Sequence, residues 1–170
     1  MASTYLTRSI TSTNSSWTFS AWCKRSGLTS TQYLASWGGS GTGQGIGFSS
    51  SDKLQYYSES TGSNPTSSSQ FRDCSGWYHV VVRNNAGTIT LYVNGTAISN
   101  TGGNSGSALL STTFRIGEWK TNQYRWDGSM SHINFIDGTA YDASAFGETD
   151  STTGEWKIKT APSVTYGSDG

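Results

Sequence analysis

Charge is what this chain has least of. Only 13% of its 170 residues are Asp, Glu, Lys or Arg, and eleven basic side chains balance eleven acidic ones. With no basic excess there is no field to attract phosphate backbones or anionic lipid, so nucleic acid and membrane surfaces are poor partners. Long apolar runs are missing too: no stretch approaches the roughly 20 residues that span a bilayer. The opening MASTYLTRSI lacks the apolar region of a secretory signal, so synthesis in a cytoplasm is expected. Two cysteines, Cys23 and Cys74, are too few for a disulfide framework and read as lone thiols. Without a secretory route, the sequons at Asn14-Ser15-Ser16 and Asn94-Gly95-Thr96 are incidental. Hydrophobic residues make up only 33%, which excludes an economical helical bundle.

What the chain does have is aromatics, with seven Trp and nine Tyr, set among Gly, Ser and Thr. That mixture reads as all-β. The clearest stretch is Trp77 to Gly95, WYHVVVRNNAGTITLYVNG. Two aromatic and β-branched runs flank the polar turn Asn84-Asn85-Ala86-Gly87, and Asn94-Gly95 closes the second run with a type I′ hairpin signal. Three antiparallel strands are predicted, at 77–83, 88–93 and 96–99. In the second, Ile89, Leu91 and Val93 face one way and Thr88, Thr90 and Tyr92 the other.

The same pattern extends along the chain. Residues 3–10 predict an edge strand. Trp17, Phe19, Ala21 and Cys23 alternate with Thr18, Ser20, Trp22 and Lys24, as on a sandwich wall. Strands are predicted at 33–37 and 45–48, joined by the glycine-rich 38–43 loop, which lacks the Lys-Ser/Thr of a phosphate loop. Another follows at 53–57, then a mobile loop at 61–69 and a polar loop at 100–107. The strand 113–118 leads to an exposed connection at 119–126. In the last long strand, 129–136, Met130, His132, Asn134 and Ile136 are expected opposite Ser131, Ile133 and Phe135. Asp142 is expected to cap one helical turn through Phe146. Short strands at this spacing predict a β-sandwich of two antiparallel sheets, one domain over residues 1–170.

The hairpin W-Y-H-V-V-V … L-Y-V-N-G resembles the centre of the laminin-G-like, or concanavalin A-like, jelly rolls. Ser16–Trp22 is similar to the family's early strand, Phe114-Arg115-Ile116-Gly117 to its F-x-I-G strand, and Trp126–Ile133 to its F-D-G-x-I-D-E-V strand. The tail Asn134-Phe135-Ile136-Asp137-Gly138, then Phe146–Asp150 and Gly154-Glu155-Trp156-Lys157, resembles versions found in virion proteins of marine bacteriophages. The likeness covers roughly residues 5–167. It implies a non-enzymatic virion surface protein, a capsid decoration or knob or else a tail-fibre head, carried on the major capsid protein or a tail component. The alternative is a carbohydrate-binding module recognising host polysaccharide. In related phage sequences one more strand precedes the match to Tyr5-Leu6 and an aromatic strand follows that to Tyr166-Gly167, so an exposed sheet edge and a docking partner are expected here.

Candidate chemistry is sparse. His79 sits in a strand of the family motif and is read as structural. His132 near Asp127 has no Ser or Cys nucleophile on a recognisable elbow. Glu148-Thr149-Asp150 begins like the carboxylate strand of laminarinase-type glycosidases, but Thr152 or Thr153 stands where the next carboxylate is needed, in a segment that reads as loop. The family's rim calcium sites imply Asp127, Asp137 and Asp142 as candidate ligands; Asp127-Gly128 and Asp137-Gly138 are equally plain turn chemistry, and no cofactor is assigned. A sugar site on this scaffold implies aromatic faces beside polar groups, which Trp119, Asn122, Tyr124, Arg125 and Trp126 supply. The competing reading makes Trp119 and Trp126 core anchors. Tyr56, Tyr57 and Trp37 are weaker candidates.

Overall fold

The computed structural model describes residues 4–120 and 123–170. In order, the strands are β1 (Leu6–Ile10), β2 (Trp17–Arg25), β3 (Gln32–Trp37), β4 (Gln44–Phe48), β5 (Leu54–Ser58), β6 (Thr66–Ser67) and β7 (Tyr78–Asn85). Then come β8 (Thr88–Val93), β9 (Thr96–Ala97), β10 (Asn100–Thr101), β11 (Thr112–Ile116), β12 (Gly128–Asp137), β13 (Gly147–Thr149) and β14 (Trp156–Ile158). One sheet orders as β1-β11-β3-β4-β5-β6-β10, the other as β12-β2-β7-β8-β9, and β13 pairs with β14 alone. All pairings are antiparallel, giving the expected all-β jelly-roll sandwich.

The hairpins form as their residues dictate. Asn94 and Gly95 both take positive φ, 48° and 83°, which is the type I′ geometry. Ala86 and Gly87 do the same between β7 and β8, leaving Asn84 and Asn85 in the strand. Asn84 is buried, its amide donating to Ser107 O and its carbonyl accepting from Gly87 N–H. The core is what the alternation predicts. Trp17, Phe19, Ala21 and Cys23 from β2 and Ile89, Leu91 and Val93 from β8 meet Leu34, Ile46, Phe48, Leu54 and Tyr56 from the facing sheet. Trp17 and Trp37 touch edge to face at 5.1 Å. Cys23 and Cys74 are free, and burial pushes the Cys23 thiol up to about 12. Among the described residues the one helical element is a 3₁₀ turn, Ala143–Ala145, with Asp142 accepting from Ser144 N–H at 3.1 Å.

Several expectations need correction. In β12 the register slips between Ser131 and Asn134, so two residues face Ala21 alone. His132 takes φ 48° at this bulge. Simple alternation therefore fails: Met130, Ile133 and Phe135 pack on the main core, whereas Ile136 points to the outer face of the five-stranded sheet. There it joins Val81, Tyr92, Ala143 and Phe146 in a second cluster, against which Trp156 packs. The 61–69 segment is pinned rather than loose: β6 pairs with β5 and β10, and Asn64 bonds both Ser58 and Gly102. Trp77 precedes its strand and is exposed. The third hairpin strand is only Thr96–Ala97, because β10 crosses to the other sheet. The Glu148-Thr149-Asp150 segment is not a loop throughout, since Glu148 and Thr149 lie in β13. β1 is an edge strand, as expected, with Leu6 63% exposed.

Candidate functional site

The outer face of the seven-stranded sheet carries a polar groove. On β5, Leu54, Tyr56 and Ser58 point inward, which turns Gln55 and Tyr57 outward, with Glu59 just beyond. Tyr33 joins them from β3, where a bulge between Tyr33 and Ala35 re-aims the strand. Over this face folds the segment after β11. Trp119 N–H donates to Gln123 O at 2.8 Å and Tyr33 N–H to Tyr124 O at 3.0 Å, stapling the segment to the sheet. Ser36 holds it from beneath, donating to Glu118 O and accepting from Lys120 N–H. The resulting groove encloses about 420 Å³ between Thr31, Tyr33, Gln55, Tyr57, Glu59, Trp119, Lys120, Gln123 and Tyr124.

Glycine makes the seat. A Cβ on Gly45 would lie 2.7 Å from both the Trp119 and Tyr33 rings, and one on Gly43 would meet Trp119, Lys120 and Glu59 within 3.0 Å. Trp119 can descend onto β4 only because those side chains are missing. It stacks at 34° to Tyr33, 4.6 Å away, and meets Tyr57 edge-on at 5.4 Å. Trp119 and Tyr33 are each only 4% exposed, so they form the floor. The rings available to a ligand are half-buried Tyr57 and Tyr124, the latter 56% exposed.

Glu59 and Lys120 close one end. Lys120 Nζ lies 2.6 Å from Glu59 Oε1 and 5.3 Å from the Trp119 ring centre, while Glu59 Oε2 accepts from Gly43 N–H. The bond from Lys120, reinforced by that amide, holds the Glu59 carboxyl below the usual range. Tyr33 hydroxyl accepts from Gln55 at 3.3 Å, and burial raises its phenol.

The structure thus divides the sequence candidates. Trp119 and Tyr124 belong to the groove, Trp119 as floor rather than as an exposed stacking face. Trp126 does not: its ring packs on Phe48 at 5.9 Å against the main core, which is the anchor reading. Arg125 turns aside toward buried Glu118, 3.9 Å away. Asn122 lies outside the described residues. Of the weaker candidates, Tyr57 lines the groove, whereas Tyr56 and Trp37 are core. Tyr33, Gln55, Glu59 and Lys120 were not foreseen; extending the β5 alternation to Glu59 would have marked two of them.

The other candidates have structural employment. Asp137 accepts from Ser12, Asn14 and Ser168, Asp142 caps its turn, and the Asp127 carbonyl accepts from Ser26 N–H. Among the described residues no three His, Cys, Asp or Glu side chains cluster as metal ligands. Glu148 and Asp150 both lean on Lys157 across the β13–β14 hairpin. The Thr152 and Thr153 amides, then Lys157, hold Asp150 down at about 2. His79 is fully buried, stacked between Trp22 and Trp156. His132 bonds Ser131 at 2.7 Å on the exposed bulge.

Comparison with known proteins places this geometry. No curated protein sequence matches the chain. Among solved structures it is similar to a Bacteroides ovatus protein assigned to carbohydrate binding, with TM-score 0.61 and 18% identity over 81% of this chain and 42% of that one. It is similar to domain 4 of an extracellular arabinanase from Geobacillus stearothermophilus, solved with arabinotriose: TM-score 0.57, 15% identity, 76% of this chain and 64% of that one. It is also similar to the heptameric SAP-like pentraxin of Limulus polyphemus, at 0.57 and 17%, covering 79% and 70%. At such identities the likeness establishes the fold, one that serves binding proteins and parts of glycan-processing enzymes alike. A family model for the concanavalin A-like lectin/glucanases superfamily matches residues 2–144. With most of its length matched and its sandwich in place, the chain belongs to that superfamily.

Proposed function

We propose that this domain is a non-enzymatic, lectin-like protein of a bacteriophage virion surface, a capsid decoration or knob, that holds host-surface glycan in the groove over β3 and β5. The observation that carries the glycan reading is the groove itself: ring faces of Tyr57 and Tyr124 beside hydrogen-bonding Gln55, Glu59, Lys120 and Gln123. Ring faces cover the apolar C–H surface of a pyranose while the polar groups meet its hydroxyls. The non-enzymatic reading is supported by the lining, in which Glu59 is the one carboxylate among the described residues and is already bound to Lys120. Glycoside hydrolysis needs two carboxyl groups across the bond. Carbohydrate-associated neighbours of the same fold are consistent with this.

The virion setting is supported by the phage-like tail motifs from Asn134 to Lys157 and by β1, the last strand of its sheet among the described residues, where a strand from a capsid or tail partner would add. The protein would be made in the host cytoplasm and leave by lysis. The test has two parts. On a glycan array, the domain should bind host-type polysaccharide, and Tyr124→Ala should weaken binding about tenfold without changing stability, since Tyr124 is exposed. Peptide mass spectrometry of purified virions should find it in numbers comparable to the major capsid protein. A few copies per particle would move it to a tail fibre, and absence from the particle would leave the alternative, a soluble carbohydrate-binding module.

A further inference from the structure

We infer that the Glu59–Lys120 pair makes this groove a reader of neutral glycans bearing adjacent free hydroxyls, and that it discriminates against uronic and sialic acids; this rests on the glycan-binding reading of the same groove. The pair is half-buried, with the two side chains 26% and 22% exposed, so one edge of each faces the groove. An ammonium has three donors, and Lys120 commits one to Glu59 Oε1 while the Trp119 ring occupies another side. A carboxylate offers about four acceptor sites, and Glu59 commits three, to Lys120 and to the backbone amides of Gly43 and Gly41, which leaves one. The groove end therefore presents a donor and an acceptor side by side, 2.6 Å apart.

Two hydroxyls on neighbouring carbons of a sugar ring stand about as far apart as hydrogen-bonded oxygens, and each both donates and accepts. One can donate to Glu59 while its neighbour accepts from Lys120, so both charges stay satisfied when water is displaced. A sugar carboxylate offers acceptors only. It would answer Lys120 but bring its charge against Glu59, the like-charge juxtaposition that excludes wrong partners. No other Asp, Glu, Lys or Arg lines the groove among the described residues, so its charges cancel. The chain's formal charge is also zero, leaving no long-range pull on an anionic polymer.

The experiment titrates the intact protein with neutral trisaccharides (mannotriose, cellotriose, xylotriose) and with trigalacturonate and sialyllactose, following Trp fluorescence and tyrosine NMR signals. The expected result is binding of at least one neutral probe, unchanged within about twofold between about 50 and about 500 mM salt. Glu59→Gln should weaken that binding about tenfold, the loss of a hydrogen bond to a charged group, and Lys120→Met similarly, with the fold checked by melting. The double variant should lose less than the two single losses combined, because the pair acts as a unit. Tighter binding of trigalacturonate or sialyllactose, affinity that falls with salt, or indifference to Glu59→Gln would overturn the inference while leaving a glycan groove. If no probe of either kind perturbs Tyr57 or Tyr124, the glycan reading falls with it.

Discussion

His79 should set the acid limit of this fold. Its ring is fully buried, stacked at 4.9 Å on Trp22 and at 5.9 Å on Trp156. The Trp156 indole N–H donates to Nδ1 at 2.9 Å, which leaves Nε2 to donate to the Ser20 hydroxyl at 3.0 Å. A proton on Nδ1 would face the indole donor, and among the described residues no carboxylate is bonded to the ring. Burial accordingly lowers the His79 pKa from 6.5 to about 4. A depressed folded value means the unfolded chain binds the proton first. The stabilising contribution is thus complete above pH 6.5 and is lost as pH falls toward 4. At 1.36 kcal/mol per unit, the interval corresponds to about 3 kcal/mol. Urea unfolding followed by Trp fluorescence at several pH values across this range measures it. The partner variant is His79→Gln, whose amide can still accept and donate but does not titrate. Carboxylates such as Asp52 and Glu59 contribute to both proteins alike, so the difference in slope isolates His79. Wild type should lose about 3 kcal/mol more than His79→Gln over the interval, with the loss of Trp156 order visible in near-ultraviolet circular dichroism. Parallel slopes would refute the neutral, buried assignment.

Three further outcomes follow from the packing. Buried Asp52 bonds Arg25 at 3.0 Å and Arg72 at 2.8 Å; burial raises its carboxyl, but Thr29 N–H and the two guanidinia outweigh that and hold it low. Asp52→Asn strands the Arg25 charge and should cost about 3–5 kcal/mol in chemical denaturation. Gly45→Ala places a methyl 2.7 Å from Trp119 and Tyr33. It should cost about 1–3 kcal/mol and weaken groove binding, read by melting and by titration with the bound trisaccharide. Ala86 holds φ 47° beside Gly87, so Ala86→Gly should stabilise by about 1 kcal/mol in the same unfolding assay, and an unchanged midpoint would contradict the turn type.

Much of the fold was legible because period-two alternation is a local signal. Trp17 to Cys23 and Ile89 to Val93 announce their inward faces, and Asn94-Gly95 announces its turn. The β12 bulge was not legible, since nothing in Ser131-His132-Ile133-Asn134 marks the residue that slips. Nor were β6 and β10, two residues each, whose pairing is decided by the strands beside them. The groove was half-legible. Aromatic and polar density around 119–126 pointed to the right segment, but Tyr33, Tyr57 and Glu59 reach it through sheet order, which places β3 and β5 beneath a connection far along the chain. Trp119 and Trp126 look alike in sequence; only the glycine seat on β4 tells floor from anchor.

The extra residue at His132 changes what a single strand can hold together. β12 is in phase with the interior at Met130 and again at Phe135, and the slip frees Ile136 to face outward. That outward isoleucine is the foothold on which Phe146 and Ala143 settle, with Trp156 packed behind them. By absorbing one residue, the bulge thus keeps a second apolar side on the sheet. The stretch from Ala143 to Ile158 is thereby attached as a covering layer rather than left as a trailing end. Without the slip, strict alternation from Met130 would turn Ile136 into the sandwich and strip the covering layer of its anchor, while leaving β2 and β7 paired as before.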